Sequence, residues 1–539
     1  MRHSRTQRNR KGYRTDREEQ RQMKRVQIRQ KGERRISAAL RIMFVVLLLA
    51  AQVAVVILIS HVLKQYVAIG YGVLQIISVF LAIHIYNEPG ELSYKLIWFI
   101  LFLLAPAVGL ILWFLWGGAA QKRHLPEQER RIADEPESVR ARSEIALDKL
   151  TRQLPAWSRT ANFLSRRGFR LYQNTKVTYF AEGAPLLRDI IDRAGKAERF
   201  IFLEYFILAE GKLWDELERI LCAKARAGVE VKIIFDDFGN IKRFSGETID
   251  SLREAGVEVF IFNPVHEYVN RLSFNYRDHR KIACIDGDAA YTGGANIADE
   301  YANIIERYGY WKDGGVRLEG EGVWGLTRSF IQMCVNIGGV MHNEHDYYRP
   351  HTPVKSDGFC QPFVDGPQNN PDNPAEDTFL QMISTARRFL YITSPYFIPD
   401  ESLMRTLCIA GDGGVDVRLM LPGKPDHWYA DCVAESYFGE LIDHGVKVYR
   451  YTPGMLHAKS VMVDREAAFV GSVNMDYRSF ELDYECGVMV YGAPMIESLL
   501  EDMDSIVDQS RLVTAEEWQH RSLLRRVLEP VLRLFAIWM

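Results

Sequence analysis

Two stretches of this chain follow one pattern. HRKIACIDGDAAYTGGAN runs from His279 to Asn296, and HAKSVMVDREAAFVGSVN runs from His457 to Asn474. Each reads His-x-Lys-x4-Asp, then Ala-Ala, an aromatic (Tyr291, Phe469), a glycine (Gly293, Gly471) and an asparagine (Asn296, Asn474) at matching distances. The His-x-Lys-x4-Asp pattern alone arises by chance on the order of once per ten thousand positions. A matched pair with matched flanks means internal duplication, so the chain must build two similar units.

The flanking sequence says what those units are. The first half carries RFIFLEYFIL (Arg199–Leu208), GVEVKIIFDD (Gly228–Asp237) and AGVEVFIFNPV (Ala255–Val265), with helical patterns between them. The second carries RFLYITSPYFIP (Arg388–Pro399), GVDVRLMLPG (Gly414–Gly423) and HGVKVYRYTPG (His444–Gly454), spaced in the same way. Short, β-branched, largely apolar runs alternating with amphipathic helices predict β-α-β units in buried sheets. The expectation is an α/β fold with two duplicated α-β-α halves and mixed, mostly parallel sheets. The halves differ in one place. The first has an extra aromatic and basic segment, VHEYVNRLSFNYRD, before its histidine, which reads as a rim for a pocket mouth or as a solvated loop.

Residues two apart in a strand face the same way. His279 and Lys281 therefore share a face, as do His457 and Lys459. Bringing the halves together gathers two imidazoles, two ammonium groups and two asparagine amides around one pocket. A cation would sit there beside two lysines without clustered cysteine or carboxylate ligands, so no metal is expected. Structural histidines would not explain the repetition with Lys and Asn. The donors Lys281, Lys459, Asn296 and Asn474 suit an anion, and donors aimed at developing negative charge are what phosphoryl transfer needs.

The N-terminal quarter reads as membrane. Ile42–Leu63 is 22 residues with one Gln, one Ser and one His as polar breaks, enough at ~1.5 Å per residue to cover a ~30 Å hydrocarbon core. Val67–Ile85 is a second candidate and Leu96–Trp116 a third, with Trp98, Trp113 and Trp116 placed as interfacial anchors. Residues 1–41 hold fifteen Lys or Arg against four acids, so the positive-inside rule keeps them cytoplasmic. Three spans then put the remainder on the outer face. The Arg-rich stretch after the third span and the seven scattered cysteines, which read as isolated buried thiols, point the other way. A segment 67–85 that fails to span would invert the answer. The expected organisation is a basic tail (1–41), transmembrane helices (42–116), a linker (117–165), two halves (166–355 and 356–512) and an amphipathic tail (513–539).

The paired motifs, continued by GGAN and GSVN, resemble the double HKD signature of the phospholipase D superfamily. NYRDHRK, LEYFIL, TSPYFIP and the preceding hydrophobic segment NEPGELSYKLIWFILFLLAPAVGLILWFLWG resemble bacterial cardiolipin synthases; the extra first span and long basic tail depart from that pattern. The resemblance runs from about residue 170 to the C-terminus. It implies His279, Lys281, Asp286, His457, Lys459 and Asp464 as the catalytic set, with Asn296 and Asn474 on the phosphate. It also implies a phosphohistidine on His279, His457 as general acid and base, and no cofactor. Asp313 in WKDGG and Glu485 in YECGV are expected to orient the histidines, Glu485 stabilising the imidazolium of His457. The motif aspartates Asp286 and Asp464 are expected to bond nearby backbone.

A phosphodiester pocket alone fits a hydrolytic phospholipase, a transferase or a nuclease. The spans favour a lipid, as does LLRRVLEPVLRLFAIWM (Leu523–Met539), which reads as an interfacial helix or as a helix packed on the body. The resemblance implies phosphatidylglycerol as donor and acceptor, with a lipid bilayer as the working surface. Residues 170–510 lack a dense basic stripe, which argues against nucleic acid. Two intact motifs argue against an inactive scaffold. The oligomeric state is not legible.

Overall fold

The computed structural model describes residues 64–88, 92–113, 137–264, 276–341, 345–352, 354–367, 373–533 and 536. It divides into two compact units: of the described residues, one holds 64–88 and 98–111, most of the apolar N-terminal helices, and the other holds the rest.

In the first unit, Lys64–Asn87 is one helix, and its segment Ile69–Asn87 is long and apolar enough to cross a membrane. The second expected span lies within it. The first, Ile42–Leu63, lies outside the described residues. The third is two helices, Leu92–Leu104 and Pro106–Leu112, and its end lies beyond the described residues. Proline has no N–H to donate, so Pro106 opens a new helix rather than continuing the old one.

The second unit is built on two sheets. The first-half strands are β1 (Thr175–Phe180), β2 (Phe200–Tyr205), β3 (Glu230–Asp236), β4 (Glu258–Phe262), β5 (Arg277–Asp278), β6 (Lys281–Ile285), β7 (Ala289–Gly293), β8 (Tyr310–Lys312) and β9 (Gly315–Gly320). Those of the second half are β10 (Phe359–Asp365), β11 (Phe389–Thr393), β12 (Phe397–Ile398), β13 (Asp416–Pro422), β14 (Lys447–Tyr451), β15 (Gly454–Leu456), β16 (Ser460–Val463), β17 (Ala467–Gly471), β18 (Met475–Asp476), β19 (Asp483–Tyr491) and β20 (Ser510–Leu512). The sheet orders are β1-β9-β7-β6-β2-β3-β4 and β10-β19-β17-β16-β11-β13-β14-β20.

Only β2-β3-β4 and β11-β13-β14 run parallel within these two orders. The remaining neighbours are antiparallel, so parallel pairing is the smaller part, not the larger part expected. Each His-x-Lys motif leads directly into a hairpin, β6-β7 or β16-β17. Its two arms are joined by the tight turns DGD and DRE, which reverse the chain where a helical crossover would have kept it parallel.

Helices cover the outer face of each sheet, and a continuous core fills the space between the sheets. Phe202, Ile282 and Leu318 of the first sheet meet Met420, Met462 and Val488 of the second there. The helices Val323–Asn336 and Met495–Asp508 pack into the same layer. Such strands are buried on both faces, which is why they read as unbroken apolar runs. The segment expected as linker is partly folded. Helices Glu137–Gln153 and Ser158–Arg166 bury Ala146, Leu150, Ala161 and Leu164 against Phe363 and Phe379 of the second half. Helix Leu523–Arg533 packs on Trp428–Glu435 and leaves Leu523, Leu524, Val527 and Val531 exposed.

Candidate active site

Two short strands change sides. β5 leaves the first half and pairs in parallel with the start of β19, aligning Asp278 with Tyr484. β15 leaves the second half and pairs in parallel with β8, aligning Leu456 with Lys312. The next residue after each strand is a motif histidine. The His279 N–H therefore donates to the Tyr484 carbonyl at 2.9 Å, and the His457 N–H to that of Lys312 at 2.7 Å.

One step further along each register sits a carboxylate. His279 Nδ1 lies 2.8 Å from Glu485 Oε1, and His457 Nδ1 lies 2.6 Å from Asp313 Oδ2. The sequence expectation had Glu485 serving His457. The structure corrects that pairing: each histidine faces the carboxylate of the opposite half, because the strand that carries it has crossed over.

Each carboxylate is anchored within its own half. Asp313 Oδ1 accepts from the Gly314 N–H at 2.8 Å, and its approach requires glycine at position 294. A Cβ there would collide with Asp313 Oδ1 and lie 2.8 Å from the His457 carbonyl oxygen. The equivalent position in the second half is Ser472, whose hydroxyl donates to Glu485. Glutamate is one methylene longer, so it can reach its histidine from further back and leaves room for the serine.

Asp286 and Asp464 lie away from the imidazoles. The Asp286 carboxylate accepts from the N–H groups of Glu198, Arg199 and Phe200 at 2.8, 2.7 and 2.9 Å. Asp464 does the same for Arg387, Arg388 and Phe389 at 2.8, 2.9 and 2.9 Å. Both aspartates hold left-handed backbone, with φ of 55° and 54°, a conformation that, after glycine, short polar residues tolerate best. They tie the end of β6 or β16 to the start of β2 or β11.

Lys281 donates to the His279 carbonyl. Lys459 donates to the His457 carbonyl at 2.5 Å and lies 2.8 and 3.1 Å from that ring's two nitrogens. Asn296 is committed to the scaffold: Oδ1 accepts from the Ile207 N–H at 3.1 Å, and Nδ2 donates to the Tyr301 hydroxyl at 2.7 Å. One Nδ2 proton remains for a ligand. Asn474 supports the Asp476 carboxylate, and its own Oδ1 is buried with no partner among the described residues.

Several site residues escaped the sequence reading. The Phe206 ring stands edge-on to His279 at 5.1 Å. Tyr301 and Trp311 each lie 5.3 Å from the His457 ring. LEYFIL and WKDGG contain Phe206 and Trp311, but nothing in those strings shows that their rings wall the histidines.

Electrostatically the site stores positive charge at a cost. Burial, then repulsion from Lys281 and Lys459, holds His279 well below the usual imidazole range. Burial and Lys459 push His457 down to about 4, against the pull of Asp313. Burial lowers Lys281 to about 8 and Lys459 to about 7. Burial also lifts Glu485 well above an ordinary carboxyl, with Lys281 opposing and Asp483 adding to the shift. Burial without a counter-anion disfavours charge, so an incoming phosphodiester would restore the cationic forms. His279, Asp483 and Glu485 bring ligand atoms within 4.8 Å of one another. Arg478 at 3.3 Å from Asp483 and Lys281 beside Glu485 already supply positive charge to that cluster.

Comparison with known proteins agrees with this geometry. The family profile described as cardiolipin synthase, PLD-like domain, matches residues 187–304 and 379–507. A second, the phospholipase D-nuclease N-terminal profile, matches residues 76–118. The chain is 33% identical over 465 residues to a cardiolipin synthase of Halalkalibacterium halodurans, covering 85% of this chain and 91% of that protein. It is 38% identical over 382 residues to an uncharacterised protein of Streptococcus mutans, covering 70% and 81%. The crystal structure of a phosphatidylserine synthase from Haemophilus influenzae shares the fold, with a TM-score of 0.52 and 17% identity over 68% of this chain and 93% of that one.

Proposed function

The chain belongs to the cardiolipin synthase family of the phospholipase D superfamily, and on that premise we propose that it makes cardiolipin and free glycerol from two molecules of phosphatidylglycerol. The observation that carries the reading is the facing pair of carboxylate-held imidazoles with a lysine beside each. Such a pair can divide one phosphodiester exchange into two displacements.

Nδ1–H of His279, donated to Glu485, leaves the Nε2 lone pair for phosphorus. That nitrogen attacks the donor lipid, and the P–O bond to the headgroup glycerol breaks. His457, as imidazolium, passes its proton to the departing alkoxide. In the second step His457 takes the hydroxyl proton of an acceptor lipid, whose oxygen attacks phosphorus while the P–N bond breaks. His457 is thereby protonated again. Lys281 and Lys459 oppose the charge on the non-bridging oxygens, and the bound anion offsets the repulsion that keeps His457 unprotonated in the empty pocket. Asn296 and Asn474 contribute amide donors. Asp313 and Glu485 orient the rings and stabilise them when charged.

The apolar helix and the relatives associate the protein with a membrane. The finer reading is a multi-pass protein of the bacterial cell membrane, with the basic tail inside and the catalytic unit on the outer face. Incubating purified protein with phosphatidylglycerol, followed by lipid mass spectrometry, tests the activity. Cardiolipin and glycerol in equal amounts support it. Phosphatidic acid without cardiolipin would mean that water resolves the intermediate.

A further inference from the structure

A second cluster of ionisable groups lies at the edge of the pocket, on the His457 side, and the two displacements leave it unused. The Tyr396 hydroxyl donates to Asp426, 2.9 Å from each carboxylate oxygen. Asp426 Oδ1 lies 2.9 Å from His427 Nδ1. The carboxylate is sequestered, with 14% of its side chain accessible, whereas the imidazole is 47% accessible. Tyr396 and Tyr429 meet that ring edge-on at 6.0 and 5.4 Å. Nδ1 is thus held, the ring is braced on two sides, and Nε2 has no partner among the described residues.

The cluster is tied to the catalytic residues. The Ser394 hydroxyl donates to the Tyr396 carbonyl at 2.6 Å and accepts from the N–H of Met475, the neighbour of Asn474, at 3.0 Å. The Asp426 charge acts on both His457 and Lys459. Its hydrogen bond to His427 raises that imidazole above its ordinary value, so a cation is available near neutral pH.

The proposed reaction needs such a cation. The acceptor is itself a phosphodiester, and its own phosphate enters while Lys281 and Lys459 are occupied by the phosphoryl group on His279. A three-carbon headgroup joins that second phosphate to the hydroxyl that must reach His457. We propose that His427, aligned by Asp426 and Tyr396, binds the phosphate of the acceptor phospholipid and so selects a lipid alcohol over water or free glycerol. Trp428, 67% exposed beside it, offers an aromatic surface to the lipid that binds there.

This inference rests on the cardiolipin synthase reading, and one experiment separates the two. Purified full-length His427→Gln and His427→Lys are assayed with phosphatidylglycerol for cardiolipin formation, and in parallel for exchange of isotope-labelled glycerol into phosphatidylglycerol. The exchange uses the same adduct but an acceptor without phosphate. At subsaturating lipid, His427→Gln is expected to slow cardiolipin formation about ten-fold, the scale of one charge-assisted contact, with exchange unchanged. His427→Lys restores most of the loss. Equal loss in both assays, no loss in either, or a Lys variant as poor as the Gln variant would overturn the role of His427. A wild-type enzyme that exchanges glycerol but makes no cardiolipin would overturn the functional reading and this one with it.

Discussion

Asp313 Oδ2 lies 2.6 Å from Nδ1 of His457, although the aspartate belongs to the first half and the histidine to the second. Glu485 and His279 repeat the arrangement in reverse at 2.8 Å. Neither dyad exists within one half. Each depends on a two- or three-residue strand that leaves its own sheet and pairs with the other half. Catalytic geometry and docking of the halves are therefore one property: loss of the β5–β19 or β8–β15 pairing removes an orienting carboxylate from its histidine.

The motif aspartates should behave differently from the histidines when altered. Asp464→Ala leaves three backbone donors without their carboxylate. An unfolding free energy lower by about 3 kcal/mol is expected, since hydrogen bonds to charged groups contribute ~1.5–3 kcal/mol each and relaxation recovers part of the loss. Chemical denaturation of the purified variant measures it. Wild-type stability with lost activity would instead mean direct participation in the chemistry.

Gly294→Ala should cost activity without large loss of fold. Its Cβ would displace Asp313 from His457, and loss of an aligned acid–base partner costs on the order of 10²-fold in kcat. Ser472→Ala, which removes one donor to Glu485 but adds no bulk, should be milder. Steady-state rates of the two variants, with circular dichroism as a control for folding, check this. A harmless Gly294→Ala would show that Asp313 does not need its observed position.

The lysines set the alkaline limb of the pH profile. Burial pushes Lys459 down to about 7 and Lys281 to about 8 in the empty site. A lysine with a depressed value loses its proton earlier as pH rises, so kcat/KM should fall through pH 7 to 8. The bound lipid phosphate favours the ammonium forms, so kcat should hold to higher pH. Initial rates across pH 6–9 at low and saturating lipid separate the two. A kcat/KM that climbs over this range would contradict the assignment of cationic lysines to phosphate binding.

Topology is open to a direct test. A cysteine placed at the half-buried Ser356, between the exposed Lys355 and Asp357, with the native cysteines buried, should react with an impermeant thiol reagent on intact cells if the catalytic unit faces outward. Labelling only after the inner face is opened would put the unit in the cytoplasm, leaving the chemistry untouched.

Much of this was legible in the sequence because duplication and alternation are properties of residue order. The repeated motif implied two units around one pocket, and the apolar runs gave the parallel β-α-β elements. Asp313 and Glu485 stood out by their equivalent places after each motif. Their partners were not legible, because two equivalent halves look the same whether each carboxylate serves its own histidine or the other's. Only the registers of β5 and β15 decide. The commitment of Asn296 to Ile207 and Tyr301 was equally hidden, as was the Asp426–His427 pair, because neither depends on a repeated spacing.

Adduct trapping tests the crossed arrangement most directly. An activated phosphatidyl ester with a good leaving group needs no general acid, so it reports on the nucleophile alone. Intact-protein mass spectrometry should show no adduct for His279→Ala and a persistent one for His457→Ala. Each carboxylate variant should then resemble its structural partner. Glu485→Gln is expected to slow adduct formation about 10²-fold. Asp313→Asn is expected to form the adduct readily and fail to resolve it. The opposite grouping, with Glu485→Gln behaving like His457→Ala and Asp313→Asn like His279→Ala, would contradict the exchange of carboxylates between the halves.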